Sequence, residues 1–167
     1  MEIRRLRSLE DAEKYRIIRL ESLQNCPESF VASYEEEKDF SIETFMHQLQ
    51  SDGSFTYGAF EENQLVGIIT LYLDQPYKLG HRAHIGAMYV SSSKRSLGVG
   101  KVLMEEAIRK AKSIEGIEQI YLAVVSTNEP AKKLYSTLGF TVFGTEKKGL
   151  RVDHDVYYDV DFMILFL

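Results

Sequence analysis

The amino-acid sequence predicts an α/β protein in which helices flank a mixed sheet. Three observations support this fold class. Residues 120–125 form a short, almost wholly apolar run, as expected of a buried strand. Ala131, Leu134, Tyr135 and Leu138 then fall on one face of a helix. Upstream, a glycine-containing turn joins a predicted strand directly to a predicted helix, so strands and helices alternate in the second half of the chain.

The first half of the chain is predicted to contain four strands and two helices. Ser41 is a plausible N-cap of the second helix, and Glu43 places negative charge in its first turn. The predicted strands are residues 1–6, 55–61, 64–74 and 83–90, and the predicted helices are residues 8–25 and 41–50.

The second half adds two helices and three strands. Asn128 is a good N-cap for the last helix, and Gly139 stands where a C-terminal cap is expected. The predicted helices are residues 98–112 and about 129–138, and the predicted strands are residues 120–125, 141–152 and 156–167. The resulting order, β-α-α-β-β-β-α-β-α-β-β, predicts a seven-stranded mixed sheet with four helices.

Composition narrows the function classes. A chain of 167 residues is predicted to form a single domain, residues 1–167. Its net charge of −5 argues against a nucleic-acid partner, and no apolar run approaches membrane-spanning length. Cys26 is the only cysteine, which favours a reducing, cytoplasmic location. No metal site is expected, because the adjacent residues Asp153, His154 and Asp155 are better explained as a turn.

The turn after the fourth predicted strand is the most informative segment. It reads Arg95-Ser96-Leu97-Gly98-Val99-Gly100 and opens the helix of residues 98–112. The free N–H groups and the dipole of a helix N-terminus bind anions, and glycines allow close backbone approach. The spacing matches neither a P-loop nor a dinucleotide fingerprint. The turn therefore predicts a phosphorylated cofactor of another kind.

Two motifs resemble those of the GNAT superfamily of N-acetyltransferases. The turn matches the family's pyrophosphate motif, [RQ]-x-x-G-x-[GA], although Ser92 and Ser96 stand where proline and glycine are common. Residues 128–140 read N-x-x-A-x-x-L-Y-x-x-x-G-F, which is similar to the second cofactor motif of the family. The resemblance implies a mostly antiparallel sheet whose two central parallel strands splay apart.

The resemblance also implies acetyl-CoA as the cosubstrate, with no metal. Backbone donors in the turn would hold the pyrophosphate, Arg95 would position the turn or face phosphate, and strand N–H groups would run beside the pantetheine arm, with Met88 facing the thioester. The residues expected to contact acetyl-CoA are Met88, Tyr89, Val90, Arg95, Ser96, Leu97, Gly98, Val99, Gly100, Lys101, Asn128, Lys132 and Tyr135.

Tyr135 occupies the family position of the general acid that protonates the coenzyme A thiolate; by spacing alone it is a core aromatic. The general base is open. His84 is a candidate on the predicted strand, where simple alternation places it on the same face as Gly86 and Met88. His81, Tyr72, Asp74 and ordered water are the alternatives.

The acceptor site is expected in the loop after the first helix and in the closing hairpin. Phe30 and Tyr34 are candidates for an apolar wall, Glu28 for contact with a cationic amine, and Tyr157 for the hairpin side. The run of residues 35–37 is better explained as a solvated acidic loop.

The leading hypothesis is an enzyme, an acyltransferase that moves an acetyl group from acetyl-CoA to a primary amine of a small molecule or protein by direct attack. The alternative is a catalytically weak acetyl-CoA-binding sensor or regulatory domain. A purely structural turn would require both motifs to be accidental. The sequence leaves the acceptor's identity, the range of acyl groups and the choice between monomer and homodimer open.

Overall fold

The computed structural model describes all residues, 1–167. Its seven strands match the number predicted, and their bounds differ from the predicted ones by at most one residue. The strands are β1 (Glu2–Arg5), β2 (Ser54–Glu61), β3 (Gln64–Leu73), β4 (Arg82–Val90), β5 (Gln119–Val125), β6 (Thr141–Asp153) and β7 (Val156–Phe166).

Five α-helices accompany the sheet, one more than predicted. They are α1 (Leu9–Asn25), α2 (Tyr34–Glu37), α3 (Ile42–Gln50), α4 (Val99–Lys112) and α5 (Glu129–Thr137). The additional helix, α2, is a single turn that begins with a capping box between Ser33 and Glu36. The motif Ser-x-x-Glu is visible in the sequence and could have predicted this turn.

The strands form one sheet in the order β1-β2-β3-β4-β5-β7-β6. All neighbours are antiparallel except β4 and β5, which run parallel in the centre. The β4–β5 pairing starts at Arg82↔Gln119 and ends at Ile85↔Leu122, although both strands continue. The two central strands therefore diverge beyond Ile85 and Leu122, and we call this V-shaped opening the splay. The mixed sheet with splayed central strands is as predicted.

A bulge interrupts β4 inside the splay. Ala87 has a φ of +49°, and the register between β3 and β4 shifts between Ile68 and Thr70. A bulge adds one residue to one strand, so side-chain alternation changes phase across it. Residues before and after Ala87 consequently do not follow one alternation pattern.

Two apolar clusters cover opposite faces of the sheet. One is centred on α4 and includes Ile85 of β4, Leu122 of β5 and Tyr135 of α5. The other, beneath α1 and α3, includes Tyr15, Phe45 and Tyr89. α1 and α3 pack on the β2–β3 side of the sheet. The face of β4 and β5 opposite α4 thus remains partly exposed, and His84 and Ala123 lie there.

Candidate functional site

The N-terminus of α4 is the only α-helix start without a side-chain cap. Ser8, Ser33, Ser41 and Asn128 accept a backbone N–H at the starts of α1, α2, α3 and α5, whereas Gly98 before α4 offers no such group. The first intrahelical bond of α4 joins Val102 N–H to the Gly98 carbonyl at 3.2 Å. The N–H groups of the preceding turn are therefore available to an anion, which the helix dipole also favours.

The turn that leads into α4 is held in an unusual conformation. Ser96 has a φ of +62° and Gly98 a φ of +83°, both in the left-handed region. An added Cβ at Gly98 would meet nothing within 4 Å, so the space above the turn is open. Since the left-handed region favours glycine, the family's frequent glycine at the position of Ser96 has a physical explanation here.

Arg95 anchors this turn to the protein instead of extending away from it. Its Nε donates to the Val90 carbonyl at 3.0 Å, and a terminal nitrogen lies 3.4 Å from Cys26 Sγ. The guanidinium carbon also sits 5.5 Å from the centroid of the Tyr89 ring. Of the two roles that the sequence left open for Arg95, these contacts favour positioning of the turn.

Gly100 lies where α4 approaches the splay. A Cβ at Gly100 would come within 3.2 Å of Met88 Cε and 3.3 Å of Leu134 Cδ2. Those distances are tighter than ordinary van der Waals contact, so a larger residue would push α4 away from β4 and α5. The glycine thereby keeps the open helix N-terminus close to the strand edge.

Backbone groups of β4 point into the splay. Ser91 N–H donates to the Val66 carbonyl at 3.0 Å, so it faces β3. Alternate residues direct their N–H groups to the same side of a strand, which turns Tyr89 toward β3 and Met88 and Val90 toward the opening. The Val90 carbonyl already accepts a hydrogen bond from Arg95 Nε. The N–H groups of Met88 and Val90 are thus the β4 donors on the splay side.

Tyr135 lies in the apolar cluster beneath the splay. Its side chain is 8% exposed, and its ring centroid is 6.3 Å from that of Phe140. Burial alone raises the pKa of Tyr135 to about 12. The phenol therefore keeps its proton across the neutral range. The position at once satisfies the core-aromatic interpretation and leaves the hydroxyl able to serve as a proton donor.

The start of α5 is tied to the closing hairpin by a buried carboxylate. Asn128 Oδ1 accepts the Ala131 N–H at 3.3 Å and so caps the helix. Lys132 Nζ lies 2.9 Å from Asp161 Oδ2 and donates to the Ser126 carbonyl at 3.1 Å. Lys132, expected to contact the cofactor, is thus engaged in an ion pair within the protein.

Asp161 itself was missed by sequence reasoning. Its carboxylate also accepts from Ser126 Oγ at 2.8 Å and from Thr145 Oγ1 at 2.7 Å. The hydroxyls of Thr145 and Ser126 and the ammonium of Lys132 together lower the pKa of Asp161 to about 2. The partners come from the residue after β5, from β6 and from α5, which are distant in sequence from Asp161 or from one another, so spacing carried no signal of this cluster.

His84 lies on the face of the sheet opposite α4, which we call the open face and define by Arg82, His84, Gly86 and Tyr121. A Cβ at Gly86 would meet the Tyr72 ring at 3.1 Å, and His84 stacks on the same ring with centroids 4.9 Å apart. Met88, in contrast, packs against the α4 cluster. The expectation that His84 and Met88 share a face was wrong, because the bulge at Ala87 changes the alternation between them.

The structure also joins His84 to Asp74, one of the alternative bases. His84 Nδ1 is 3.1 Å from Asp74 Oδ1, and Asp74 Oδ2 is 3.3 Å from Arg82 Nε. His81 lies just before β4, where its carbonyl accepts the N–H groups of Glu118 and Gln119. Three of the candidates for a base, His84, Asp74 and Tyr72, therefore form one cluster next to the splay.

The residues predicted to line the acceptor side are only partly brought together. Glu28 belongs to a short 3-10 turn, Pro27–Ser29, that lies against β5 and β6 and so near the splay. Phe30 is buried with the Arg19 guanidinium 5.2 Å from its ring centroid, and Tyr34 packs on the α1–α3 cluster. Tyr157 is exposed on the hairpin, where Lys148 Nζ lies 5.0 Å from its ring centroid.

Surface cavities lie at both outer edges of the sheet, and one of about 340 Å³ at the β6–β7 hairpin is lined by Arg151, Val152, Asp153 and His154. A cavity of about 300 Å³ lies at the β1 edge of the sheet, away from the splay, and is lined by Arg5, Arg7, Gln50, Asp52 and Phe55. The structure contains no group of three or more His, Cys, Asp or Glu side chains placed to hold a metal ion. None of its helices has both the length and the apolar character needed to span a membrane.

Comparison with known protein families assigns the chain to one family. The model of the acetyltransferase (GNAT) family matches residues 16–140, about three quarters of the sequence. The chain belongs to the GNAT family. The match includes the splay, the open N-terminus of α4 and Tyr135, so the features described above lie within the family's shared region.

Curated relatives are N-acetyltransferases of more than one kind. N-alpha-acetyltransferase 30 of Xenopus laevis is 29% identical over 133 residues, which cover 78% of this chain and 48% of that protein. An L-amino acid N-acetyltransferase of Escherichia coli is 33% identical over 87 residues, covering 52% of this chain and 53% of that protein. The chain spans about half the length of these relatives or less.

Solved structures agree on the fold. A GNAT-family acetyltransferase from Streptococcus pneumoniae superposes with a TM-score of 0.88 at 23% identity, covering 99% of both chains. A ribosomal-protein-alanine N-acetyltransferase from Brucella melitensis gives a TM-score of 0.84, also at 23% identity and covering 100% of both chains. At this level of identity the likeness establishes the shared architecture.

Proposed function

We propose that this protein is an acetyl-CoA-dependent N-acetyltransferase that acetylates a primary amine by direct attack. The observation that carries the proposal is the uncapped N-terminus of α4 beside the splay. An open helix N-terminus supplies an anion site, and the neighbouring strand edge supplies a row of unpaired N–H donors. Membership of the GNAT family supports the same interpretation.

The residues around the splay suit acetyl-CoA. Gly98 leaves open space above the turn, and the first-turn N–H groups of α4, with Lys101 nearby, would hold the pyrophosphate. The backbone of Ser96, Leu97, Val99 and Gly100 would complete this cradle. The N–H groups of Met88 and Val90 would bind the pantetheine arm. Asn128, which caps α5, and Tyr135 within α5 would contact its reactive end.

Acetyl-CoA supplies an acetyl thioester, and the protein supplies orientation and proton transfer. Met88 N–H donates to the thioester carbonyl oxygen and to the negative charge that develops there. The acceptor must first lose a proton from its ammonium group, and His84 on the open face takes that proton through water. The amine nitrogen then bonds to the carbonyl carbon, and the carbon–sulfur bond breaks.

Tyr135 completes the proton balance. It donates its phenolic proton to the departing thiolate and recovers a proton from the former amine nitrogen, since a buried phenolate is a stronger base than a thiolate. The overall reaction releases one proton, carried away from His84 by solvent. No covalent acyl-enzyme is needed.

An α-amino group is the acceptor that the comparisons favour. Relatives named as N-alpha-acetyltransferase and as L-amino acid N-acetyltransferase both take their names from such a group. Glu28, in the turn packed against β5 and β6, would attract the positive charge of the amine. Of the expected wall residues, Tyr157 is exposed on the hairpin, whereas Phe30 and Tyr34 pack in the α1–α3 cluster and would support the acceptor loop. We also propose that the chain works as a single domain in the cytoplasm.

A thiol-release screen tests the activity. The full chain is mixed with acetyl-CoA and with peptides bearing free N-termini, free amino acids, polyamines or aminoglycosides, and free coenzyme A is followed with a thiol reagent. We expect release with peptides or amino acids and little with the other two classes. If the chain binds acetyl-CoA but no acceptor causes coenzyme A to be released, the sensor alternative is favoured.

A further inference from the structure

The open face carries a histidine whose ring is held on several sides. His84 stacks on Tyr72 with an interplanar angle of 15° and a centroid distance of 4.9 Å. Its Nδ1 lies 3.1 Å from Asp74 Oδ1. Register pairs His84 with Tyr72 on β3 and with Tyr121 on β5. These contacts restrict both the plane of the ring and its rotation.

Asp74 is itself held in place. Its side chain is 18% exposed, compared with 49% for His84, and its second oxygen lies 3.3 Å from Arg82 Nε. The Arg82 guanidinium in turn covers the Tyr121 ring at 4.1 Å. The carboxylate therefore forms an ion pair with Arg82 on one side and meets the imidazole on the other.

This geometry determines which ring nitrogen can act as a base. An ionised carboxylate only accepts hydrogen bonds, so Nδ1 of His84 must carry the proton that it shares with Asp74. A neutral imidazole has one donor and one acceptor nitrogen. Nε2 is then the acceptor, on the side of the ring away from Asp74.

His84 also lies close to the apex of the splay. The last paired residues are Ile85 and Leu122, and Gly86 is the first β4 residue in the opening. His84 and Gly86 are about 6.6 Å apart along the strand, a span that the ring and one water can cover.

We propose that Asp74 is a positioning residue, which orients His84 so that Nε2 receives the acceptor's ammonium proton during acetyl transfer. This inference rests on the proposed function and adds the carboxylate that fixes which nitrogen of His84 accepts the proton. The proton passes from the ammonium nitrogen to water and from water to Nε2. Asp74 holds Nδ1–H throughout and stabilises the imidazolium that forms.

Other charged and titratable groups around the ring come from several elements. Arg82 lies on the same strand, Tyr72 and Asp74 come from the β3 side, and Tyr121 comes from β5. Behind Tyr72, α1 contributes Tyr15 and Arg19. Glu37 of α2 neutralises Arg19 through a 2.7 Å ion pair. Among these groups, Asp74 is thus the carboxylate that forms a hydrogen bond with the imidazole.

The first test measures the tautomer of His84 directly. Proton–nitrogen NMR of the labelled full chain at pH 8 distinguishes Nδ1–H from Nε2–H, and His84→Gln identifies the signal. We expect the Nδ1–H form in the wild type and a shift toward Nε2–H in Asp74→Ala. The same tautomer in both proteins would overturn the positioning role. This readout needs neither acetyl-CoA nor an acceptor.

The second test measures the pH dependence of kcat with the acceptor that the screen identifies. Asp74→Ala is expected to lower kcat by about 10- to 100-fold with acetyl-CoA affinity unchanged. Asp74→Asn can still accept from Nδ1–H but lacks the negative charge beside the imidazolium, so we expect it to keep the tautomer and to lower kcat less than Asp74→Ala does. Asp159→Asn, which removes a partly buried carboxylate that pairs with Lys147 and accepts the Lys148 N–H, serves as the matched charge control.

The outcomes separate the two proposals. A wild type that turns over while Asp74→Ala and Asp74→Asn keep its kcat and pH profile would overturn the role of Asp74 alone. A wild type that releases no thiol with any acceptor would overturn acetyl transfer, and with it this role. Should Asp74→Ala fail to bind acetyl-CoA, the milder Asp74→Asn carries the kinetic test.

Discussion

At the scale of single residues, Tyr135 combines a structural role with the chemical role that we propose for it. It is a core aromatic of α5, and burial raises its pKa to about 12. Because of this raised pKa, the phenol stays protonated until the solution is strongly alkaline. Ionisation of Tyr135 by solvent therefore does not lower the rate near neutral pH. Chemistry and packing therefore make different demands on the same side chain, and a substitution that removes only the hydroxyl separates them.

Tyr135→Phe tests the hydroxyl. We expect kcat to fall by about 10- to 100-fold, because the thiolate loses its proton donor, while the Kd of acetyl-CoA stays within about twofold. Stopped-flow thiol release at saturating substrates measures the first quantity and calorimetry the second. Tyr77→Phe removes a hydroxyl from a fully exposed side chain and is the control. An unchanged kcat would remove Tyr135 from the mechanism.

Asp161→Asn tests the buried cluster that joins α5 to the hairpin. We expect the free energy of unfolding to fall by about 2 kcal/mol at pH 7, since the buried ion pair and charged hydrogen bonds weaken. The carboxylate has a lowered pKa of about 2 in the folded state. Its contribution is therefore full above pH 4 and is lost as the pH falls toward 2.

Denaturant unfolding at pH 7 and at pH 2 measures this difference between Asp161→Asn and the wild type. Glu129→Gln removes the more exposed carboxylate from the same lysine, and we expect it to cost about 0.5 kcal/mol or less. A difference for Asp161→Asn that is equally large at both pH values would contradict the assigned charge.

At the scale of elements, the α4 N-terminus and β4 define the site together. The helix would supply the anion cradle and the strand the donors along the splay, and Gly100 sets how closely they approach. Arg95 fastens the connecting turn to the end of β4 and to Cys26 at the end of α1. The cofactor side and the loop on the acceptor side are consequently linked through one arginine.

Gly98→Val tests the helix N-terminus. A β-branched residue strains the backbone at a φ of +83° and fills the open space above the turn, so we expect acetyl-CoA to bind at least about 100-fold more weakly. Gly116 has a φ of +87° and equally open space but lies beyond the other end of α4. Gly116→Val should show a similar loss of stability and normal binding. Equal affinities for the two variants would refute the cradle.

The sequence predicted the elements better than their local irregularities. Strong apolar patterns and visible caps, such as Ser41 and Asn128, located most helix and strand ends within two residues. The bulge at Ala87 was not predicted, because a left-handed alanine has no sequence signature and depends on pairing with β3. Because of that one residue, His84 and Met88 lie on opposite faces of the sheet instead of on the same face.

Sequence motifs indicated part of the candidate site, whereas contacts that depend on strand pairing were not visible in the sequence. The turn and Tyr135 lie in contiguous motifs, so the resemblance of those motifs to the GNAT family was enough to propose them. The pairing of His84 with Asp74 and of Lys132 with Asp161 joins different strands and helices. Such partners become visible only when the sheet order is known.

At the scale of the whole molecule, the fold brings the proposed cofactor side and the proposed acceptor side to one opening. α4 and α5 lie on one face of the splay, whereas His84, Asp74 and the turn carrying Glu28 lie on or beside the other. An amine and a thioester would therefore meet through the gap between β4 and β5 from opposite faces of the sheet. This arrangement supports the direct transfer, without an acyl-enzyme, that we propose.

Calorimetric titration of the full chain with acetyl-CoA tests the central claim most directly. The account predicts saturable binding of one acetyl-CoA per chain, competed by coenzyme A, retained in Tyr135→Phe and lost in Gly98→Val. Absence of binding to the folded wild type, or equal binding to Gly98→Val, would contradict the assignment of the α4 N-terminus and the splay as the cofactor site.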